Sequence, residues 1–226
     1  MNSSVVVSGG TGGLGSAVTR TLLAGGWRVV VPYVEERELE RLERHPQLEL
    51  VAADLFDPAA AVAVVERAGN RLGALVNLVG GFAAGGRVHE TPIAEFEQQF
   101  RLNLRPTYLL CQAALPPMLE AGGGAIVCVS TRAALRPFPG AAGYISSKAA
   151  VLALVDALTA EYTADGVRVN AILPSVIDTP ANRASQPDAD HSRWVTPEQI
   201  ADVVAFLCSE QSAAIGGAHI PVYGRA

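Results

Sequence analysis

Three consecutive valines, Val5, Val6 and Val7, run straight into Ser8-Gly9-Gly10-Thr11-Gly12-Gly13-Leu14-Gly15, and a helical pattern begins at once. A β-rich run that ends in this many glycines must turn, and the turn leaves bare backbone at the start of the next helix. A helix N-terminus carries free N–H groups and the positive end of the dipole, so bare backbone there makes an anion site. Gly10-x-Gly12-x-x-Gly15 fits the general dinucleotide fingerprint, and Gly9-x-x-x-Gly13-x-Gly15 fits a second spacing. Either match alone carries little, but the turn closes the first strand–helix unit of an alternating chain, which is the context that gives it meaning. Gly9, Gly13, Leu14 and Gly15 are therefore candidate contacts to a pyrophosphate.

The alternation persists to the end of the chain. Apolar runs at 3–8, 28–31, 48–53, 74–79, 125–129, 168–173 and 218–222 read as strands, and their continuous hydrophobicity is that of strands covered on both faces. Helical periodicity spans 14–24, 35–44, 58–71, 94–119, 142–164 and 197–209, with start signals at Asp57-Pro58 and Thr196-Pro197-Glu198. This order predicts an α/β chain with one doubly wound parallel sheet, a Rossmann fold of about seven strands flanked by helices. The 226 residues fit one domain, 1–226, in which only 175–195 is long and irregular enough to be a substrate lid.

Composition narrows the partners. Half the residues are hydrophobic and 17% are charged, enough for a sizeable core. A net charge of −5 without a basic cluster argues against nucleic acid and against an anionic membrane surface. Cys111, Cys128 and Cys208 are an odd number at wide spacing, which predicts reduced thiols and no metal site. The glycine-broken start is not a signal peptide, and no run of about 20 apolar residues is present, so the expectation is a cytoplasmic protein without a membrane partner.

Two stretches carry the chemistry. Near the expected end of the second strand stands Tyr33 where an acid would take a ribose diol; Arg37 can reach a 2′-phosphate, while Glu35 would repel one. The cofactor is thus NADP or NAD, and the missing acid favours NADP. Further along, Tyr144-Ile145-Ser146-Ser147-Lys148 opens a helix, and a spacing of four puts phenol and ammonium on one face. A cation beside a phenol favours phenolate and brings the group toward the working range of an acid–base catalyst. Lys148 is the only lysine among 17 basic residues, so arginine does not serve at that place.

Taken together, the residues resemble the classical short-chain dehydrogenase/reductase family over nearly the whole chain. The matching positions are Ser8-Gly9-x-x-x-Gly13-x-Gly15, Asp54-Leu55, Asn77-Leu78-Val79-Gly80, Asn103, Ser130-Thr131, Tyr144-x-x-x-Lys148 and Pro174-Ser175-x-x-x-Thr179. The resemblance implies that Tyr144 donates or accepts the proton, that Lys148 holds the nicotinamide ribose and lowers the phenol, and that Asn103 supports a proton relay through water. It places the carbonyl-orienting hydroxyl 13 residues before the tyrosine, at Thr131, with Ser130 as the runner-up. It further implies that Asp54 and Leu55 bracket the adenine, that Asn77 and Gly80 line the central cofactor channel, and that the Ile177 backbone with Thr179 holds the carboxamide; Tyr33 and Pro174 are further candidate cofactor contacts. Pro106 gives Asn103 a physical setting of its own, because it removes the N–H that would pair with the carbonyl of Leu102.

The chain departs from the family pattern at Leu78, Val79, Ser175 and Tyr223. Residues 178–197 are locally similar to quinonoid dihydropteridine reductases, which makes such a reductase the alternative to a ketone or 3-oxoacyl reductase. A dinucleotide sensor without catalysis is the alternative of another class, since fold alone does not establish chemistry. The helices at 94–119 and 142–164 are apolar on more than one stripe, and the resemblance implies that they pair two copies in a homodimer or homotetramer.

Overall fold

The computed structural model describes residues 3–225. Its centre is a seven-stranded parallel sheet: β1 (Ser4–Ser8), β2 (Arg28–Tyr33), β3 (Leu48–Ala52), β4 (Leu72–Asn77), β5 (Gly124–Val129), β6 (Val167–Pro174) and β7 (His219–Val222). The strand order is β3-β2-β1-β4-β5-β6-β7, so the chain winds outward from β1 in one direction and then from β4 in the other. The crevice between β1 and β4 is the switch point where ligands of such sheets bind.

Helices cover both faces. On one side lie α2 (Pro58–Ala68), α4 (Arg105–Glu120) and α5 (Ala142–Tyr162), packed through Val64, Leu110, Met118 and Val155 onto Val6, Leu75 and Ile126. On the other lie α1 (Gly13–Ala24) and α7 (Pro197–Cys208), packed through Val18, Leu22, Ile200 and Val204 onto Val5, Val7 and Val127. The strand valines are buried on both faces because neighbouring residues point to opposite sides. The remaining helix of this set, α3 (Ile93–Asn103), packs against α5.

Three expected elements differ from the structure. The helix expected at 35–44 is a 3₁₀ turn, Glu36–Arg41, with no buried residue; Leu39 and Leu42 alone give a longer helix no apolar stripe to bury. The helix expected at 94–119 is two helices. Leu104, at φ −110° and ψ −44°, separates α3 from α4, and Pro106 stands within the first turn of α4 without an N–H to return to Leu102. The stretch expected to be irregular at 175–195 holds α6 (Pro180–Ser185) and a 3₁₀ turn at His191–Arg193, and a bridge pairs Ile177 with Val195. Asp178 N donates to Val195 O at 2.8 Å, so this segment is tied at its base.

The segment 142–165 is long and apolar enough by composition to cross a membrane, with a mean hydropathy of 1.2. It packs on the sheet in this fold, and its N-terminal turns carry Tyr144 and Lys148.

Candidate active site

The glycine turn is shaped for close approach. Gly9 has φ +70°, which favours glycine, and its carbonyl accepts from Gly12 N at 3.0 Å. A Cβ at Gly15 would stand 1.9 Å from Gly9 O, so the crossing of turn and helix excludes any side chain. At the N-terminus of α1 Gly12 offers no capping side chain and the first turn contains no acid, which leaves N–H groups and dipole for an anion. The cradle fits the pyrophosphate of a nicotinamide dinucleotide.

Beside the turn lies a cluster that sequence reasoning missed. Thr11 Oγ1 donates to Glu38 Oε2 at 2.7 Å, and Arg41 donates to Thr11 O at 3.1 Å and to Glu38 Oε1 at 3.0 Å. The Thr11 hydrogen bond and the Arg41 charge hold the Glu38 carboxyl below its ordinary range. Arg37 is 82% exposed and 3.7 Å from Glu35, turned to solvent near the half-buried Tyr33. The signal for Arg41 and Glu38 was their i, i+3 spacing, but only the 3₁₀ turn brings them over the glycines.

At the chemical end, β5 delivers Ser130 and Thr131 and α5 delivers Tyr144 and Lys148. Ser130 Oγ donates to Lys148 O at 2.8 Å and is buried, so it pins α5 to the sheet. Thr131, but not Ser130, lines a cavity together with Tyr144. Burial raises the Tyr144 phenol above its ordinary value, and the hydrogen bond with Thr131 opposes that rise. The expected effect of Lys148 on the phenol does not appear in this structure. Its Nζ is turned to the carbonyl of Val129, to which it donates at 3.2 Å. Lys148 is 4% exposed, and burial pushes its ammonium down to about 8, with nearby Cys128 opposing the shift.

Asn103 ends α3 against the same lysine. Its Nδ2 donates to Gly81 O at 3.1 Å and to Ser147 Oγ at 3.1 Å, and its Oδ1 accepts from Gly81 N at 3.0 Å. Ser147 Oγ donates in turn to Tyr144 O at 2.8 Å. Asn103 thus joins the loop after β4 to the helix that carries the phenol. Gly80 has no side chain for a reason: a Cβ there would meet Asn103 Oδ1 at 2.6 Å and Lys148 Nζ at 2.9 Å.

Three expected cofactor contacts, Asn77, Leu55 and Ile177, lie differently. The side chain of Asn77 is buried beneath the sheet, where Nδ2 donates to Cys111 Sγ at 3.4 Å and to Cys128 Sγ at 3.6 Å, so it does not line the channel. Leu55 turns into the core. Asp54 stays exposed, with Oδ1 accepting from Phe56 N at 3.0 Å. The Ile177 carbonyl already accepts from Thr179 N and Asn182 Nδ2, both at 2.8 Å, so it is not open to a carboxamide. In each case a local turn or a core contact competes with the expected role. Thr179 is well placed, its methyl 3.1 Å from where a Gly13 Cβ would be, which seats the lid on the glycine turn. Pro174 is buried at the end of β6, and Ser175 Oγ donates to Tyr223 O at 2.7 Å, joining two departures from the family pattern.

The cavity at Thr131 and Tyr144 has a volume of about 650 Å³. Phe82 stacks edge-on against Tyr144 at 5.0 Å and forms one wall, a contact the sequence did not reveal. Among the described residues no cluster of His, Cys, Asp and Glu could hold a metal ion.

A depressed lysine has a measurable consequence. With the ammonium at about 8 in the folded chain and 10.5 ordinarily, the unfolded state binds more protons between those values, so stability rises with pH through that window. Below pH 8 the burial penalty is fully present and is worth up to about 3 kcal/mol. Lys148→Met should therefore raise stability at pH 7, with the gain fading as pH climbs to 10.5. Urea unfolding at a series of pH values measures this; a difference independent of pH would contradict the buried charge.

A family model described as enoyl-(acyl carrier protein) reductase matches residues 9–224. The 2-(R)-hydroxypropyl-CoM dehydrogenase of Xanthobacter autotrophicus is 33% identical, over 99% of this chain and 98% of the relative. The 4-formylbenzenesulfonate dehydrogenase of Comamonas testosteroni is 31% identical, over 97% and 95%. The crystal structure of a 3-ketoacyl-(acyl-carrier-protein) reductase from Brucella melitensis, complexed with NADH, superposes with a TM-score of 0.87 at 28% identity, over 99% and 98%. With the glycine cradle and the Thr131, Tyr144 and Lys148 set already in place, these likenesses settle the matter: the chain is an NAD(P)-dependent oxidoreductase of the classical short-chain dehydrogenase/reductase family.

Proposed function

We propose that the chain interconverts a small carbonyl compound and its alcohol, with Tyr144 as the acid–base group, and that it works as one domain, 1–226, closed by the lid at 175–195. The observation that carries this reading is the meeting of the Thr131 hydroxyl and the Tyr144 phenol in one cavity at the carboxyl end of the sheet. A nicotinamide dinucleotide bound at the glycine turn supplies the hydride or takes it up. In the reducing direction Thr131 orients the carbonyl oxygen, and Tyr144 gives that oxygen its proton. Lys148 holds positive charge behind the phenol, and its Nζ and the Asn103 amide fill the space that a side chain at Gly80 would take. Asn103 acts by fixing Gly81 and Ser147, which set the height of the phenol. The aimed hydroxyl at Thr131 supports a carbonyl substrate over a quinonoid pterin, and the relatives named as dehydrogenases support catalysis over sensing.

The cofactor preference we propose is NADPH. Tyr33 leaves no acid at the strand end, and Arg37 stands beyond it, exposed and held only at 3.7 Å from Glu35. We also infer a cytoplasmic homodimer or homotetramer. Phe100, Tyr108 and Leu154 of α3, α4 and α5 line an open groove with Leu104 and Phe56, flanked by Arg101 and Arg105, and Tyr108 is 51% exposed, which leaves a largely apolar face for a second copy. Light scattering should return a multiple of 23.5 kDa, and a monomer at micromolar concentration would contradict the pairing.

Steady-state kinetics on a panel of ketones, aldehydes and 3-oxoacyl thioesters test the central reading. Tyr144→Phe should remove turnover by at least ~100-fold while leaving NADPH binding nearly intact. Thr131→Ala should be severe and Thr131→Ser mild; full activity in the Ala variant would return the pterin-type reading. NADPH should bind more tightly than NADH, and Arg37→Ala should lose about 1.5 to 3 kcal/mol of that preference, roughly one to two decades of affinity.

A further inference from the structure

Two guanidinium groups in the active-site cavity have no part in the reading given so far. The turn that follows Thr131 is a 3₁₀ turn at Arg132–Ala134, and Arg136 N closes it by donating to Arg132 O at 2.9 Å. Arg132 and Arg136 therefore stand one turn apart, and both line the cavity that holds Thr131 and Tyr144. Arg132 lies over the ring of Tyr223 at 5.1 Å, which fixes its direction. Neither guanidinium has a carboxylate within ion-pair distance among the described residues. Asp178, an acid at the base of the lid, is already paired with Arg183. The cavity lining includes two cations and no acid, while Phe82, Phe138, Val176 and Ile177 supply apolar wall.

Arg132 is half-buried and Arg136 exposed, and two unpaired cations beside one cavity give it a positive potential that a neutral carbonyl does not use and an anionic ligand does. The pyrophosphate cradle is at the β1–β4 crevice, whereas Arg132 faces Tyr223 after β7, so these cations are not needed for the cofactor phosphates. We propose that the substrate carries an oxyanionic group, a carboxylate or sulfonate, held by Arg132 and Arg136 while its carbonyl meets Thr131 and Tyr144. The forked donors of arginine suit a planar or tetrahedral oxyanion, which they bind through paired hydrogen bonds. This assignment rests on the carbonyl reductase reading and adds the substrate class to it. In reduction the carbonyl carbon gains the hydride of NAD(P)H and the oxygen gains the phenol proton; the oxyanion is unchanged.

A matched pair of aldehydes tests it: 4-carboxybenzaldehyde and methyl 4-formylbenzoate, which share ring and carbonyl and differ by one charge. The native protein should favour the carboxylate by about tenfold or more in kcat/KM, mainly through KM, and Arg132→Gln with Arg136→Gln should bring that ratio to within about threefold of unity. The double replacement by lysine should restore part of the preference. In a second arm, calorimetry measures benzoate binding to the protein in the presence of NADP, with no chemistry required; thermal melting checks that each variant is folded. Equal turnover of both aldehydes by the native protein would overturn the proposal and leave the reductase reading standing. Benzoate binding that needs both arginines, with neither aldehyde reduced, would uphold the anion site and refute the reductase reading. Benzoate binding unaltered by the double substitution would overturn the anion site in any case.

Discussion

One buried positive charge organises the catalytic half of this molecule. Lys148 is 4% exposed and has a single carbonyl, that of Val129, within hydrogen-bond reach in the described contacts. An ammonium taken out of water is unfavourable unless its donors are satisfied, so everything around it is constrained. Gly80 must lack a side chain, because Nζ and the Asn103 amide occupy that space, and Ser130 anchors the lysine's backbone carbonyl. Arginine is too large for this place and would not lose its proton, which gives the single lysine of the sequence its physical reason.

The same constraint couples elements that are far apart in sequence. The break at Leu104 lets Asn103 turn its amide to Gly81 and Ser147, and those contacts join the loop after β4 to the start of α5. Thr179 packs on Gly13 and Ser175 joins β6 to the segment after β7, so the segment 175–195 is tied to the glycine turn and to the end of the sheet. Ties of this kind suit a reaction in which donor, carbonyl and proton must be held within bonding range together.

Much of this was legible in the sequence because its signals are local. The glycine turn, the Tyr144 and Lys148 spacing and the alternation of apolar runs each follow from a period or a backbone requirement, and the alternation carries the parallel sheet with it. Alternation at the end of β5 also sends Ser130 and Thr131 to opposite sides, Ser130 to the Lys148 carbonyl and Thr131 to the cavity. What was not legible depends on competition among distant groups. Asn77 is drawn to two thiols, Leu55 to the core and the Ile177 carbonyl to Asn182, and no spacing announces these partners. The region 35–44 has helical residues without a face to bury, so it tightened into the turn that carries Arg41 to the glycines.

The sequence also led to a phenol acidified by its neighbouring lysine, whereas the polypeptide by itself raises the phenol, because burial acts on it and the ammonium is turned to Val129. In the proposed reading a dinucleotide bound beside Lys148 would complete the site and bring the Tyr144 phenol into its working range. Ultraviolet difference titration of the Tyr144 phenol, using Tyr144→Phe to isolate its signal, tests this directly. The account predicts that the phenol of the free protein titrates above its ordinary value of 10.0, falls below it when NADP is bound, and does not fall in Lys148→Met saturated with NADP. A phenol that stays above its ordinary value in the NADP complex, or that falls equally without Lys148, would contradict it.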